Sequence, residues 1–157
     1  MLRKDKEIMD RKFISQIIKN CQVCRLGLAK DNSPYIVPVS FGYDGEAVYF
    51  HTTQKGKKLD YINANNEVCF EFEYGVQVLP DESSPCNWSF SFQTVIGYGH
   101  VQELIGIKEK REALNIIIKQ YSDQEWDISE EKIETVRVWK IIITSITGKQ
   151  SKDKFAT

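Results

Sequence analysis

The chain has 157 residues, of which 41% are hydrophobic and 27% charged, as in an ordinary globular protein that can bury a sizeable core. Lys and Arg number 21 against 22 Asp and Glu, so the net charge of -1 argues against a surface that tracks nucleic-acid phosphates. No apolar run approaches the roughly 20 residues that cross a bilayer, and the charged N-terminus lacks the apolar core of a signal peptide. We therefore expect a single cytoplasmic domain over residues 1–157 with loose termini at 1–9 and 150–157, and neither a nucleic-acid nor a membrane partner.

The cysteines and histidines do not form a metal-site pattern. The four cysteines are Cys21, Cys24, Cys69 and Cys86. The first two have the spacing of half a zinc site, but no second pair follows, and a closed zinc site needs four ligands. The two histidines, His51 and His100, do not supply a matching pair. We expect free thiols and no metal.

Apolar periodicity and turn residues predict the elements in chain order. Helices are predicted at 10–20, with Asp10 as N-cap, and at 56–65, 108–121 and 129–134. Strands are predicted at 23–28, 35–41, 47–52, 68–72, 88–104 and 136–146, the last one ended by Gly148. Residues 42–45 predict a hairpin that joins the second and third strands, and Pro38 predicts an edge or bulged position.

This order shows neither a strict alternation of strands and helices nor an internal repeat. Hairpin connections and a long strand with Gly97 and Gly99, which mark a bend, favour an antiparallel barrel. The predicted fold is mainly β, a six-stranded antiparallel barrel with helices packed outside.

Residues 51–58, HTTQKGKK, combine several groups that bind phosphate at a predicted strand-to-helix junction. Hydroxyls and free main-chain N–H groups donate to oxyanions, the helix dipole favours an anion, and Lys57 and Lys58 add charged donors. The alternative is that Thr53 caps the helix and the lysines form a solvated first turn. Cations at a helix N-terminus are unfavourable without an anion, which favours the phosphate site.

Other candidates are weaker. The strand at 35–41 lines either a flat aromatic ligand or the core, and the aromatic residues of the later strands fit a core or an interface. His100 fits a structural role. Two histidines do not assemble a hydrolytic triad, so hydrolysis is not supported.

Four stretches in this order resemble the pyridoxamine-phosphate-oxidase-like split-barrel flavoproteins, especially the branch of nitroimidazole-resistance reductases. They are residues 34–43 (PYIVPVSFGY), 49–52 (YFHT) with 56–58 (GKK), 68–71 (VCFE) and 94–99 (TVIGYG), and the ending 146–149 (ITGK) is also similar. The resemblance covers nearly the whole chain.

The resemblance implies a split barrel, an obligate homodimer and FMN at the subunit interface. It places a strand segment along the isoalloxazine ring: Val37, Pro38, Val39 and Ser40. It places four further residues at the ribityl phosphate: His51, Thr52, Lys57 and Lys58. Thr94 and Trp139 are expected near the flavin, partly from the second subunit, and His51 matches a histidine near the substrate.

The chain departs from the pyridoxamine phosphate oxidases in two respects. Arg137 is the only arginine after Arg111, so their arginine-rich substrate signature is missing, and their Arg-Lys phosphate pair appears as Lys57-Lys58. The resemblance thus implies an FMN-dependent oxidoreductase that uses NAD(P)H to reduce a small nitroaromatic- or quinone-like acceptor. The alternatives are a non-catalytic flavin- or heme-binding split-barrel dimer and a dimeric structural protein.

Overall fold

The computed structural model describes residues 6–151 of the chain. The strands are β1 (Glu7–Ile8), β2 (Cys24–Lys30), β3 (Ser33–Val39), β4 (Phe41–Tyr43), β5 (Ala47–Thr52), β6 (Glu67–Leu79), β7 (Ser89–Leu104) and β8 (Arg137–Gln150). The helices are α1 (Arg11–Asn20), α2 (Lys57–Ala64), α3 (Ile107–Lys119) and α4 (Glu130–Glu134), and a short 3-10 turn spans Pro85–Asn87.

The strands form one sheet in the order β3-β2-β6-β7-β8-β5-β4, with β1 added along β8, and every pair is antiparallel. This sheet curls into the predicted split barrel with helices outside it. The predicted number of six strands is wrong: the described residues contain eight. The two extra strands are β1 and β4.

The predicted helices are confirmed to within a few residues. Asp10 is the N-cap of α1, because its carboxylate accepts the N–H of Lys12 at 2.9 Å. The apolar face of α1 buries Ile14, Ile17 and Ile18 against the barrel. The helix ends at Asn20, where the helical spacing of apolar residues in the sequence also ends.

The single strand predicted at 35–41 is wrong because the chain changes partner at Ser40. Among residues 6–151, β3 pairs only with β2, whereas β4 pairs with β5 at the other end of the sheet. Tyr121 stabilises this switch, since its hydroxyl accepts the N–H of Phe41 at 2.9 Å and donates to the carbonyl of Gln22 at 3.0 Å. Pro38 therefore lies on an edge strand, as predicted.

The predicted turn at 42–45 is confirmed, but it joins β4 to β5. One carboxylate oxygen of Asp44 accepts the N–H groups of Glu46 and Ala47, and the other accepts the Tyr49 hydroxyl, each at 2.8 Å. Burial acts to raise the pKa of Asp44, but these three hydrogen bonds outweigh it and hold the pKa below its usual value. The hairpin fixes β5, which carries His51 and Thr52 at its end.

The last strand does not end at Gly148, since β8 continues to Gln150. Gly148 pairs with Ile8 of β1, and a Cβ at position 148 would lie 3.0 Å from the Ile8 Cβ, so the glycine leaves room for that strand. Residues 7 and 8 thus form a strand inside the segment predicted to be loose. Residues 1–5 and 152–157 lie outside the described residues.

Candidate functional site

The end of β5 and the start of α2 enclose an open cavity of about 420 Å³. The edge strand β3 and the residue before β8 complete its wall. The lining residues are Tyr35, His51, Thr52, Thr53, Lys55, Gly56, Lys57, Lys58, Leu59 and Val136. The cavity thus contains four of the predicted cofactor-binding residues: His51, Thr52, Lys57 and Lys58.

The N-terminus of α2 has no side-chain cap. Gly56 occupies the N-cap position with φ 145°, a conformation that favours glycine. The Thr53 hydroxyl donates to the carbonyl of Lys55 at 2.7 Å. Thr53 therefore does not cap α2, which was the alternative to a phosphate site that the sequence left open. The first amide groups of α2 are therefore available to an anion, which the helix dipole also favours.

The cavity wall is cationic. Lys55, Lys57 and Lys58 line it, and no carboxylate is among its lining residues within the described chain. The Lys57 ammonium lies 4.7 Å from the centroid of the Tyr35 ring, and the Lys58 ammonium lies 5.9 Å from that of Phe50. Desolvation lowers the pKa of Lys58 below its usual value. Such clustered cations at a helix N-terminus repel each other unless an anion is bound.

His51 lies at the rim of the cavity with an exposed side chain, next to the buried Thr52 on β5. Alternation along the strand directs these two side chains to opposite faces of the sheet. Partial desolvation, and then the positive charge of Lys58, lower the pKa of His51. The imidazole is therefore neutral at neutral pH, and an anion bound beside Lys58 would raise its pKa.

Trp139 does not line this cavity, although it lies directly behind it. The residue is 3% exposed, and its indole N–H donates to the Thr52 hydroxyl oxygen at 3.0 Å. Its ring stacks on Phe50, its cross-strand partner, with an interplanar angle of 12°. Trp139 thus contacts a lining residue rather than the cavity.

The predicted ring-binding segment of β3 continues from Tyr35 along the same edge. Val37 shares the face of Tyr35 and packs against the core, and the side chain of Val39 is buried in that core. Pro38 and Ser40 are exposed. A ligand along this edge would meet main-chain groups and the side chains of Pro38 and Ser40, while Val39 could offer only its backbone.

Thr94 is not brought into the cavity. It pairs with Lys149 near one end of β8, whereas Arg137 at the other end pairs with Thr52, so the separation along the strands is roughly 30 Å or more. The Thr94 hydroxyl lies 3.0 Å from the carbonyl oxygen of Phe72 and 3.1 Å from a Glu71 carboxylate oxygen, and its one hydrogen is shared between these two acceptors. The prediction that Thr94 lies near the same flavin as Lys57 and Lys58 is therefore not met within one described chain.

Six lining residues were not among the predicted site residues: Tyr35, Thr53, Lys55, Gly56, Leu59 and Val136. Lys55 was visible as a third lysine of the HTTQKGKK run, and Thr53 lies in the same run. Tyr35 begins the predicted strand at 35–41, two residues before the segment assigned to the ring. Val136 had no local signal, because it reaches the site only through the pairing of β8 with β5.

The cysteines lie away from this cavity, and all four are free. Burial raises the pKa of Cys21 to about 11 and raises that of Cys24 further. Both thiols therefore stay protonated at neutral pH and are poor nucleophiles. Within residues 6–151, no group of three or more His, Cys, Asp or Glu side chains could hold a metal ion.

The family assignment follows from comparison with known proteins. A profile of the family described as pyridoxamine 5'-phosphate oxidase matches residues 10–150. The chain belongs to the pyridoxamine 5'-phosphate oxidase family. This confirms the predicted family, and the match includes every element from α1 to β8.

Similar proteins support this membership and the fold. A candidate 5-nitroimidazole antibiotic resistance protein from Bacteroides thetaiotaomicron is 30% identical, with a TM-score of 0.82 over 92% of this chain and 86% of the other. A FAD and heme binding protein from Mycobacterium smegmatis has a TM-score of 0.84 at 15% identity, over 94% of this chain and 74% of the other. At that identity the likeness concerns the fold alone.

A curated relative, an uncharacterized protein of Rhizobium meliloti strain 1021, is 25% identical over 62% of this chain. The chain spans only 56% of the length of that relative. Among the helices of residues 6–151, none has the length and apolar character needed to span a membrane.

Proposed function

We propose that this member of the pyridoxamine 5'-phosphate oxidase family binds FMN and acts as an oxidoreductase, reducing a small nitroaromatic- or quinone-like acceptor with NAD(P)H. The observation that carries the proposal is the cationic cavity at the uncapped start of α2. Three lysines, a threonine hydroxyl and free helix amides are all hydrogen-bond donors, and donors alone suit a phosphate ester.

The flavin assignment rests on the fit of this site and on the family. A terminal phosphate at the α2 N-terminus would leave the rest of the ligand to extend along the edge of β3, where main-chain groups have no further strand partner in the described part of the chain. Structural neighbours are described as FAD-binding or as FAD- and heme-binding proteins, which supports a flavin over other phosphate esters.

The residues of the chain would bind and shield the cofactor. When bound, the flavin supplies the redox chemistry, accepting and donating electron pairs. Lys57 and Lys58 would neutralise its phosphate, and the segment from Val37 to Ser40, at the end of β3, would line the ring. His51, which is exposed at the rim of the cavity, is the side chain that we assign to proton exchange with a substrate.

We also propose that the chain forms a homodimer through the outer face of β7, with FMN at the subunit interface. Alternate residues of β7 point to that face, and several are large, apolar and exposed, including Tyr98, Phe90 and Ile96. Val78, which pairs with Phe90, and Ile142, which pairs with His100, extend it onto β6 and β8. Exposed apolar surface of this extent is typical of an interface. Thr94 lies on the same face, where it could meet the partner's flavin.

Replacing Tyr98 by glutamate should convert the dimer to a monomer. Tyr98 is 56% exposed in the single chain, and a buried, unpaired carboxylate at the interface would cost several kcal/mol. Light scattering coupled to size exclusion measures the mass. Ile105→Glu is the matched control, because Ile105 is 73% exposed but lies off the sheet. A Tyr98→Glu dimer of unchanged stability would contradict this interface.

The enzymatic proposal is tested by mixing the flavin-loaded protein with NADH or NADPH and a nitroaromatic or quinone acceptor. We expect consumption of the reduced nicotinamide that depends on both the acceptor and the flavin. A protein that retains flavin but consumes no reduced nicotinamide with either class would favour the rival, a non-catalytic flavin-binding dimer. A Soret band in its visible spectrum would favour the heme-binding form of that rival.

A further inference from the structure

The contact between Trp139 and Thr52 fixes which hydrogen-bonding role the threonine can play. An indole N–H can only donate, so the Thr52 oxygen accepts the bond of 3.0 Å. Within residues 6–151, the Thr52 hydroxyl makes no bond as a donor. Thr52 is only 5% exposed, and the cavity is the space that it lines. The hydroxyl hydrogen is therefore left to donate to a group in that cavity.

The indole is held in this position from several sides. Trp139 stacks on Phe50 with ring centroids 6.3 Å apart, and the Arg137 guanidinium lies 4.6 Å from the Trp139 ring centroid. Arg137 is in turn fixed by a two-pronged ion pair with Glu103, whose carboxylate accepts the Arg137 Nε–H at 2.7 Å. These hydrogen bonds hold the pKa of Glu103 below its usual value. Trp139 has little freedom to turn its N–H away from Thr52.

We propose that Trp139 is a positioning residue that makes Thr52 a dedicated donor to the phosphate of the bound ligand, and that this pair lets the site prefer FMN to riboflavin. The inference rests on the proposed function and deepens it. Thr52 then joins the lysines and the α2 amides as a donor, and the site rejects any group that must itself donate there. Trp139 acts without touching the flavin in its own subunit, because it is buried behind Thr52.

The test compares the affinities for FMN and riboflavin, which differ only in the phosphate. Trp139→Phe keeps an aromatic ring against Phe50 and removes the N–H. We expect this variant to bind FMN about five-fold more weakly while its affinity for riboflavin is unchanged, since one neutral hydrogen bond is perturbed. If Trp139 instead contacts the flavin ring, the variant should lose affinity for FMN and for riboflavin equally. If Trp139 is purely structural, the variant should have a lower melting temperature but an unchanged ratio of the two affinities. Either result would overturn the proposal.

Substitutions at Thr52 give an independent measurement. Thr52→Val removes the hydroxyl, so we expect the same selective loss of FMN affinity, and Thr52→Ser should restore the wild-type ratio. The double variant Trp139→Phe with Thr52→Val should lose no more than Thr52→Val alone, because the two residues act through one bond. Additive losses in the double variant would contradict the coupling.

Binding of neither FMN nor riboflavin would contradict the proposed function, but the pair of Trp139 and Thr52 can still be tested in that case. Inorganic phosphate is then titrated while the indole N–H resonance of Trp139 is followed by NMR. The chain has three tryptophans, and Trp139→Phe identifies the resonance by its loss. We expect phosphate to shift this resonance in the wild type and not in Thr52→Val. No shift in the wild type would overturn the inference itself.

Discussion

Replacing both Lys57 and Lys58 by alanine should weaken FMN binding about 30- to 150-fold, as measured by titration with flavin fluorescence. Both ammonium groups line the cavity at the start of α2. Losing two charge-assisted contacts to a phosphate, one of them from a partly desolvated lysine, corresponds to about 2 to 3 kcal/mol. Of the two single variants, Lys58→Ala should weaken FMN binding more. The Lys58 ammonium is partly desolvated, as the direction of its pKa indicates, so water screens its attraction to a phosphate less.

The flavin-free double variant should be as stable as the wild type or slightly more stable. Two cations beside a helix N-terminus are unfavourable without an anion, so their removal relieves repulsion. The matched control is Lys12→Ala with Lys108→Ala, which removes two exposed lysines from the first turns of α1 and α3. The control should bind FMN normally. If the variant with both Lys57→Ala and Lys58→Ala binds FMN with unchanged affinity, these two lysines do not contact the cofactor.

Gly42→Ala should lower the free energy of unfolding by about 3 kcal/mol, and the melting temperature by about 6 to 12 °C. A Cβ at position 42 would lie 2.6 Å from the backbone of Ile116 and Ile117 in α3. Backbone atoms cannot yield by changing a rotamer, so α3 must move away from β4. Because β4 supports β5, we also expect weaker FMN binding at the end of β5.

Thermal unfolding monitored by circular dichroism measures this effect, with Gly106→Ala as the control. Gly106 has φ -68°, and the nearest atom to a Cβ there is the flexible Glu109 carboxylate at 3.4 Å. As Gly106 is an N-cap, its replacement by alanine should cost about 0.5 to 1 kcal/mol. Equal losses for the two variants would contradict the close packing of α3 on β4.

The helices and most strands could be predicted because their signals are local. Asp10 caps α1, the turn at Asp44 closes the β4–β5 hairpin, and Pro38 marks the edge strand. The break at Ser40 could not be predicted, because the chain changes its hydrogen-bonding partner there while its apolar pattern continues. The extension of β8 past Gly148 also depends on a distant segment, Ile8 of β1.

The clustering of donors at the start of α2 was predictable because these residues are nearly contiguous in the sequence. Residues 51–58 place hydroxyls, lysines and a glycine at one strand-to-helix junction. The hydrogen bond from Trp139 to Thr52 was not predictable, since it depends on the register that sets Phe50 opposite Trp139 and Thr52 opposite Arg137. The placement at a flavin of Thr94 and of the segment from Val37 to Ser40 stays a prediction, and that of Thr94 depends on a second copy of the chain.

The most direct test of the central claim is the visible absorption spectrum of the protein after incubation with FMN and removal of free ligand. We expect the two visible absorption bands of a flavin, with one FMN retained per chain. The same treatment with Lys57→Ala and Lys58→Ala combined should leave much less flavin bound. A wild-type protein that emerges colourless, and whose addition leaves FMN fluorescence unchanged, would contradict the account.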